Sequence, residues 1–316
     1  MHYGSEISEE SAEKFARSIA DNGLYLSMIS PAAHGLFAYG GLASPDRSER
    51  DAAREFVMRG LALLTGPLQL AANPDCPPVF DLWNGSLGYD LPTALVMDMQ
   101  KWTDEAIGEV VAAAARSGTP TRVGIEPKPS EGHPALLFQT SSDVLALRGR
   151  LGAAGMDVSR FGLINEFGHT EMAGLELAQE YAAALLEGAL VHVHANSQGA
   201  DGIRLGGAGK YDIDYGLAPS ASVLAIAQML SESSYSGWIE HDMQPRPYDG
   251  EQSSIDRVVR AICNWEAVMH VVESGALERG RMLDLASTRR TMEMEDLLRD
   301  AVCNAHALSK ELYHRG

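Results

Sequence analysis

Short apolar runs alternate along the chain with longer amphipathic stretches, and each run stops at a polar or charged residue. The runs Gly23–Ser30, Pro78–Trp83, Arg122–Ile125, Phe161–Asn165, Leu190–Val193 and Gly237–Glu240 are strand-like, bounded by loop residues. Between them lie Ser8–Asn22, Ser48–Thr65, Asp104–Ser117, Ser141–Ala154, Glu171–Glu187, Ser220–Glu232 and Ser253–Val272, with apolar positions at helical spacing. Such alternation, without reversal into hairpins, predicts a parallel sheet with crossover helices. The strands end near Ser30, Trp83, Glu126, Asn165, His194 and His241, and Met1–Tyr3 offers only a stub. The expected fold is a TIM-type (β/α)₈-like parallel barrel, incomplete at the N-terminus by one β/α unit. Residues 1–275 form that barrel domain. Residues 276–316 read as a helical C-terminal tail in which Leu297, Leu298, Val302, Leu308 and Leu312 recur at helical spacing. An unclosed barrel leaves strand edges exposed, so the tail is expected to make an oligomer contact, in a homodimer or homotetramer.

Composition narrows the function. A formal charge of −18, from 43 acidic against 25 basic residues, argues against nucleic acid or an anionic membrane as partner. Cys76, Cys263 and Cys303 are few, odd in number and scattered, as in a reduced cytosolic protein. The first residues have neither a basic segment nor an apolar core, and no apolar run is long enough to cross a bilayer. A cytoplasmic enzyme is expected.

The candidate chemistry sits where the strands end. Glu126-Pro-Lys128, Glu166-Phe-Gly-His169, His194-Ala-Asn196 and His241-Asp242 each follow an apolar run, and Asp212-Ile-Asp214 lies in the polar insertion Ala195–Gly216. A parallel barrel collects its strand ends on one face, so these carboxylates and imidazoles converge on one cavity. Unneutralised carboxylates cannot share a dry pocket at tolerable cost, so the pattern calls for cations. Hard oxygen donors with imidazole suit Mg²⁺, Mn²⁺ or Co²⁺. Lys128, two residues beyond Glu126 on the same strand face, is expected to point into the pocket, and Trp83 at its strand end to offer it an aromatic wall.

In these stretches the chain resembles the xylose isomerase family of sugar isomerases. The matching segments are Glu126-Pro-Lys-Pro129, Glu166-Phe-Gly-His-Thr-Glu-Met-Ala-Gly174, His192-Val-His-Ala-Asn-Ser-Gln198, Lys210-Tyr-Asp-Ile-Asp214 and His241-Asp-Met-Gln-Pro245. The resemblance implies two divalent metal ions at the barrel mouth. Glu126, Glu166, His194 and Asp242 would hold the first, and Glu166, as a bridge, with His169, Asp212 and Asp214 the second. It further implies aldose–ketose isomerisation by a metal-assisted 1,2-hydride shift. Lys128 would stabilise the substrate oxygen, Asp212 would serve proton transfer beside a bound water, His169 would contact substrate and His2 would assist ring opening. His194 stands where xylose isomerases usually carry Asp; L-rhamnose isomerases carry His there but Asp in the place of Glu166, and Ser5 lies near the place of the usual Asp partner of the ring-opening His.

Blander readings stand beside these. A single strand-end carboxylate is usually a helix cap or a solvated loop residue, Trp83 could fill core, and His192 reads as structural or as a support behind the ligands. Gly206–Gly209 lacks the strand–loop–helix setting and trailing Lys-Ser/Thr of a phosphate loop, and reads as a hairpin. Within enzymes the runner-up is another member of the same barrel superfamily, L-rhamnose isomerase-like, a ketose epimerase or a sugar-derivative lyase. Outside them it is a sugar-binding relative that has lost catalysis.

Overall fold

The computed structural model describes residues 1–88, 93–131, 133, 136–198, 204–205, 209–210, 214–243, 246 and 248–315, with backbone placement only at 198, 204–205, 209–210 and 214–215. In chain order the elements are β1 (His2–Tyr3), α1 (Ala12–Asp21), β2 (Met28–Pro31), α2 (Arg47–Thr65), β3 (Val79–Trp83), α3 (Val96–Arg116), β4 (Arg122–Glu126), α4 (Ser141–Ala153) and β5 (Phe161–Glu166). They continue with α5 (Phe167–Met172), α6 (Leu177–Leu186), β6 (Leu190–His194), β7 (Asn196–Gln198), β8 (Arg204–Leu205), β9 (Gly209–Lys210), β10 (Asp214–Gly216), α7 (Ala221–Glu232), β11 (Trp238–Glu240), α8 (Glu251–Glu273), α9 (Arg279–Ser287) and α10 (Thr291–Arg315).

One 7-stranded sheet, order β1-β2-β3-β4-β5-β6-β11, carries the molecule. All its pairings are parallel, as the βα alternation requires. Strand ends are where helices begin, and the caps are local chemistry: Asp46 accepts from the Ser48 amide at the start of α2, Thr140 and Asp143 form a capping box on α4, and Ser220 caps α7. The sheet curls until β11 reaches the segments that lead into β2 and β3. Ser27, just before β2, donates its hydroxyl to Glu240 on β11 at 3.0 Å, and the Trp238 indole donates to the Pro77 carbonyl at 3.2 Å. Among the described residues side chains, not a backbone ladder, join β11 to this side of the sheet. The result is an incompletely laddered TIM-type barrel with its helices outside.

The main core lies between sheet and helices, with Phe80, Phe161, Phe167 and Tyr181 among its largest buried side chains. Inside the curl a small apolar floor of Met28, Val79, Ile164 and Val191 gives way upward to polar residues. The expected helix over Glu171–Glu187 is interrupted: α5 stops and Gly174, at φ 71°, turns the chain before α6. The expected hairpin in the insertion is present as β7 paired antiparallel with β10, and β8 with β9. Residues 206–208 lie outside the described ones. In the tail, Leu297 is buried and Leu298 and Val302 are partly buried in the main core of the same chain. The Ser309 hydroxyl bonds to Asn264 of α8, and Arg260 lies 4.6 Å from the Tyr313 ring centroid. The leucine stripe is therefore used within the chain, leaving the opposite side of α10 exposed. No helix among the described residues is long and apolar enough to cross a membrane.

Gly162 on β5 sets the approach of β6. A Cβ there would come 1.8 Å from the Ala189 carbonyl oxygen, which already accepts from the Leu163 amide at 2.7 Å. Backbone must move to relieve that overlap. Gly162→Ala is expected to destabilise the fold by about 1–3 kcal/mol or more, read as a lowered denaturation midpoint. An unchanged midpoint would show that the strands can part at no cost.

Candidate active site

The side-chain period of two along each strand selects what enters the barrel. Glu126 ends β4, Glu166 ends β5 directly opposite His194 of β6, and Asp242 follows β11. The strand ends bring Glu126, Glu166, His194 and Asp242 together, so that one ligand atom from each lies within 4.8 Å of all the others. Glu126, Glu166 and His194 are buried, whereas Asp242 is exposed at the rim. His194 Nδ1 lies 3.3 Å from Glu166 Oε2, 3.6 Å from Glu126 Oε2 and 3.9 Å from Asp242 Oδ2, and its Nε2 is buried without a hydrogen-bond partner.

His169, from α5, reaches back between the carboxylates. Its Nε2 is 3.2 Å from Glu166, and its Nδ1 approaches Glu126 to 2.9 Å without hydrogen-bond alignment. Lys128, only 5% exposed, pairs through its ammonium with Glu131 and stands 5.3 Å from the Trp83 ring centroid. Trp83 is half-buried and meets the His34 ring edge-on at 4.4 Å. His2 lines the same cavity at the rim, half exposed, with Nδ1 3.6 Å from Glu6. Asp212 lies outside the described residues. Of Asp214 only the strand position is described, paired with Gln198.

The electrostatics are those of a cation cradle. Burial pushes Glu166 up to about 8, with repulsion from Glu126 and Asp242 adding to it against the pull of His169. Burial acts the same way on Glu126, but the His194 and His169 imidazoles outweigh it and hold that carboxyl well below the usual range. Burial alone would keep His194 neutral, yet the surrounding carboxylates raise it well above an ordinary histidine. Carboxylates and imidazoles thus compete for protons in the cluster, and a divalent cation would displace them. The donor set, three carboxylates and an imidazole, fits Mn²⁺, Co²⁺ or Mg²⁺.

Several contributors were not evident in sequence. Asn196 donates to Glu166 Oε1 at 2.9 Å and to the Asp242 carbonyl at 2.9 Å, and accepts from the Gly168 amide at 2.8 Å. It ties three cluster-bearing segments together, so Asn196→Ala is expected to weaken cation binding about 10–100-fold, the scale for groups that orient ligands. Titration of Mn²⁺ checks this, and unchanged affinity would show that Glu166 holds its position alone. Asn84 donates to the Lys128 and Phe138 carbonyls and fixes the backbone behind the lysine. Asp81, two residues before Trp83 on the same strand face, is 1% exposed with one carboxyl oxygen unpartnered. Burial, then repulsion from Glu126, pushes it well above the usual carboxylate range. His192 is fully buried, and its Nε2 lies 3.0 Å from Glu240. Burial opposes the charged form of Glu240, but the His192 hydrogen bond and His194 hold it down at about 2.

The strand ends of this parallel β/α barrel thus present carboxylates and imidazoles to one cavity. The chain belongs to the xylose isomerase-like TIM barrel family, whose model matches residues 2–262. It is 26% identical over 244 residues to xylose isomerase from Thermus caldophilus, covering 76% of this chain and 57% of that protein. The figures for xylose isomerase from Thermus thermophilus are the same. The chain thus spans little more than half the length of these relatives. Solved structures share the fold. The apo form of 3-keto-D-glucoside 4-epimerase from E. coli has a TM-score of 0.56 at 18% identity, covering 80% of this chain and 84% of that one. A D-tagatose 3-epimerase-like protein has 0.60 at 16% identity, covering 84% and 85%.

Proposed function

We propose that the chain is a metal-dependent aldose–ketose sugar isomerase acting by a 1,2-hydride shift. One observation carries the reading: the cation cradle, the buried Lys128 ammonium and Trp83 share a single cavity of about 220 Å³. That volume is below the roughly 300–1,000 Å³ of clefts for drug-sized ligands and suits a small polar molecule such as a sugar. Trp83 offers an aromatic wall to its apolar face. Glu126, Glu166, His194 and Asp242 would hold a first ion, and Glu166, His169, Asp212 and Asp214 a second. Bound there, divalent ions would supply Lewis acidity to sugar oxygens and a lowered pKa to water. Lys128 stabilises the negative charge that develops on the substrate oxygen during transfer. His2 at the rim assists ring opening, and Asp212 serves the hydroxyl proton. Assembly into a homo-oligomer that uses the exposed side of α10 belongs to the same proposal.

A ketose epimerase is the second reading. It is favoured by the mouth set itself, a four-ligand group sufficient for one cation, and by the fold neighbours named as epimerases. A turnover screen of pentoses and hexoses with Mg²⁺, Mn²⁺ and Co²⁺ tests the proposal. Aldose–ketose interconversion is expected; epimerised ketoses without aldose would support the second reading, and no turnover of any sugar would leave a binding protein.

A further inference from the structure

Below the mouth, a second set of ligating side chains has a different chemistry. His192 and His194 stand two residues apart on β6 and therefore share the inner face of the strand. Their rings are 5.1 Å apart at 87°. On the neighbouring β11, Trp238 pairs with His192 and Glu240 with His194, so Glu240 is directly across from one histidine and diagonal to the other. Two histidines in an i, i+2 pair plus a third donor from the adjacent strand is an arrangement that a parallel sheet supplies without distortion.

We propose that His192, His194 and Glu240 form an inner cation site on the β6–β11 pair, suited to Zn²⁺ rather than Mg²⁺. One ligand atom from each lies within 4.8 Å of the others. Donors bound to a tetrahedral ion at about 2.0–2.1 Å stand roughly 3.3 Å apart, so a modest contraction completes the set. Two observations independent of that spacing point to a ligand. His194 Nε2 is buried with no hydrogen-bond partner, on a residue 1% exposed, and buried imidazole nitrogens are seldom left idle. Glu240 Oε2 lies 3.0 Å from His192 Nε2, near the spacing of two donors on one ion, and accepts from the Ser27 hydroxyl at 3.0 Å. That is the orienting contact metal-binding carboxylates commonly have. The cavity that opens at the mouth also touches His194 and Glu240, which gives an ion a route inward.

The donor set separates the two sites. Two imidazoles and one carboxylate match the His₂Glu sets of zinc enzymes, whereas the mouth is richer in oxygen. His194 belongs to both sets: its Nδ1 faces the mouth carboxylates and its Nε2 would take the inner ion, so filling both sites would make the ring a bridging imidazolate, with its N–H proton released to solvent. An ion held inside would fix the ring and hold the last strand against β6 where few backbone bonds do so. The competing explanation is a plain His192–Glu240 hydrogen bond with no ion.

Metal-stripped full-length protein, with saturating Mg²⁺ on the mouth, is titrated with Zn²⁺ by calorimetry, and Co²⁺ is followed by its visible absorption. Wild type should bind an additional equivalent of Zn²⁺ that Glu240→Gln and His192→Asn bind about 100-fold more weakly or not at all, and should give an intense four-coordinate Co²⁺ spectrum that the variants lack. Zn²⁺ should raise the melting temperature of wild type and not of Glu240→Gln. Asp242→Asn, which alters only the mouth, should keep the inner equivalent. Equal Zn²⁺ affinity and stoichiometry in wild type and Glu240→Gln, or no Zn²⁺ bound by Asp242→Asn, would overturn the site. Failure of the mouth assignment would show instead as unchanged Mn²⁺ binding in Glu166→Gln, so the two outcomes are separable.

Discussion

A Lys128→Met variant is expected to lose about 10²–10³-fold in kcat, the scale seen when one donor to a developing oxyanion is removed, while keeping its cations. Methionine replaces the buried stem approximately in volume and deletes the charge. The ammonium sits at the cavity beside Trp83 and pairs with Glu131 rather than with the cation ligands Glu126 and Glu166, so the cradle should survive the change. Its contribution belongs to the transition state, and the loss should fall on kcat more than on KM. Steady-state kinetics with metal content measured on the same sample decides it. Equal turnover with cations still bound would remove Lys128 from the chemistry.

Glu166→Gln should abolish cation binding at the mouth while sparing the fold. Glu166 lies among His169, His194 and Asn196, each within 3.3 Å, and it is the proposed bridge between two ions. Without a cation, burial pushes its carboxyl up towards the neutral acid. Glutamine imitates that form in size and charge. The cation-free variant should therefore melt near the cation-free wild type, yet bind Mn²⁺ at least about 100-fold more weakly, beyond the effect of losing an orienting group. Elemental analysis after dialysis and calorimetric titration read the two quantities separately. Retention of wild-type metal content would contradict the assignment, whatever the activity.

The sequence is most legible where period and chemistry coincide. Apolar runs ending in Glu126, Glu166 and His194 locate the strands to within a residue or two, because a buried parallel strand is continuous in its hydrophobicity and must stop at the mouth. α3 is less legible. It begins at Val96 rather than Asp104, and its first turns expose Val96 and Met97, so the apolar stripe there faces the wrong way for a helix on a sheet. Strand parity reaches further than the strand ends. Asp81 shares a face with Trp83, and Glu240 shares one with Asp242, whereas His241 points away and bonds the Ala195 carbonyl at 2.8 Å. Parity does not find Asn196, which lies beyond its strand and acts by joining three segments distant in sequence. His192 alone reads as structural, and its partner Glu240 becomes visible only through the β6–β11 register.

Hydride movement within the sugar is tested most directly by converting unlabelled aldose to ketose in D₂O with the cations bound. A 1,2-hydride shift predicts ketose carrying no solvent deuterium on carbon at early turnover, by mass spectrometry and proton NMR. Deuterium incorporated stoichiometrically at the carbon next to the carbonyl would mean proton transfer through a carboxylate base, and would contradict isomerisation by hydride shift.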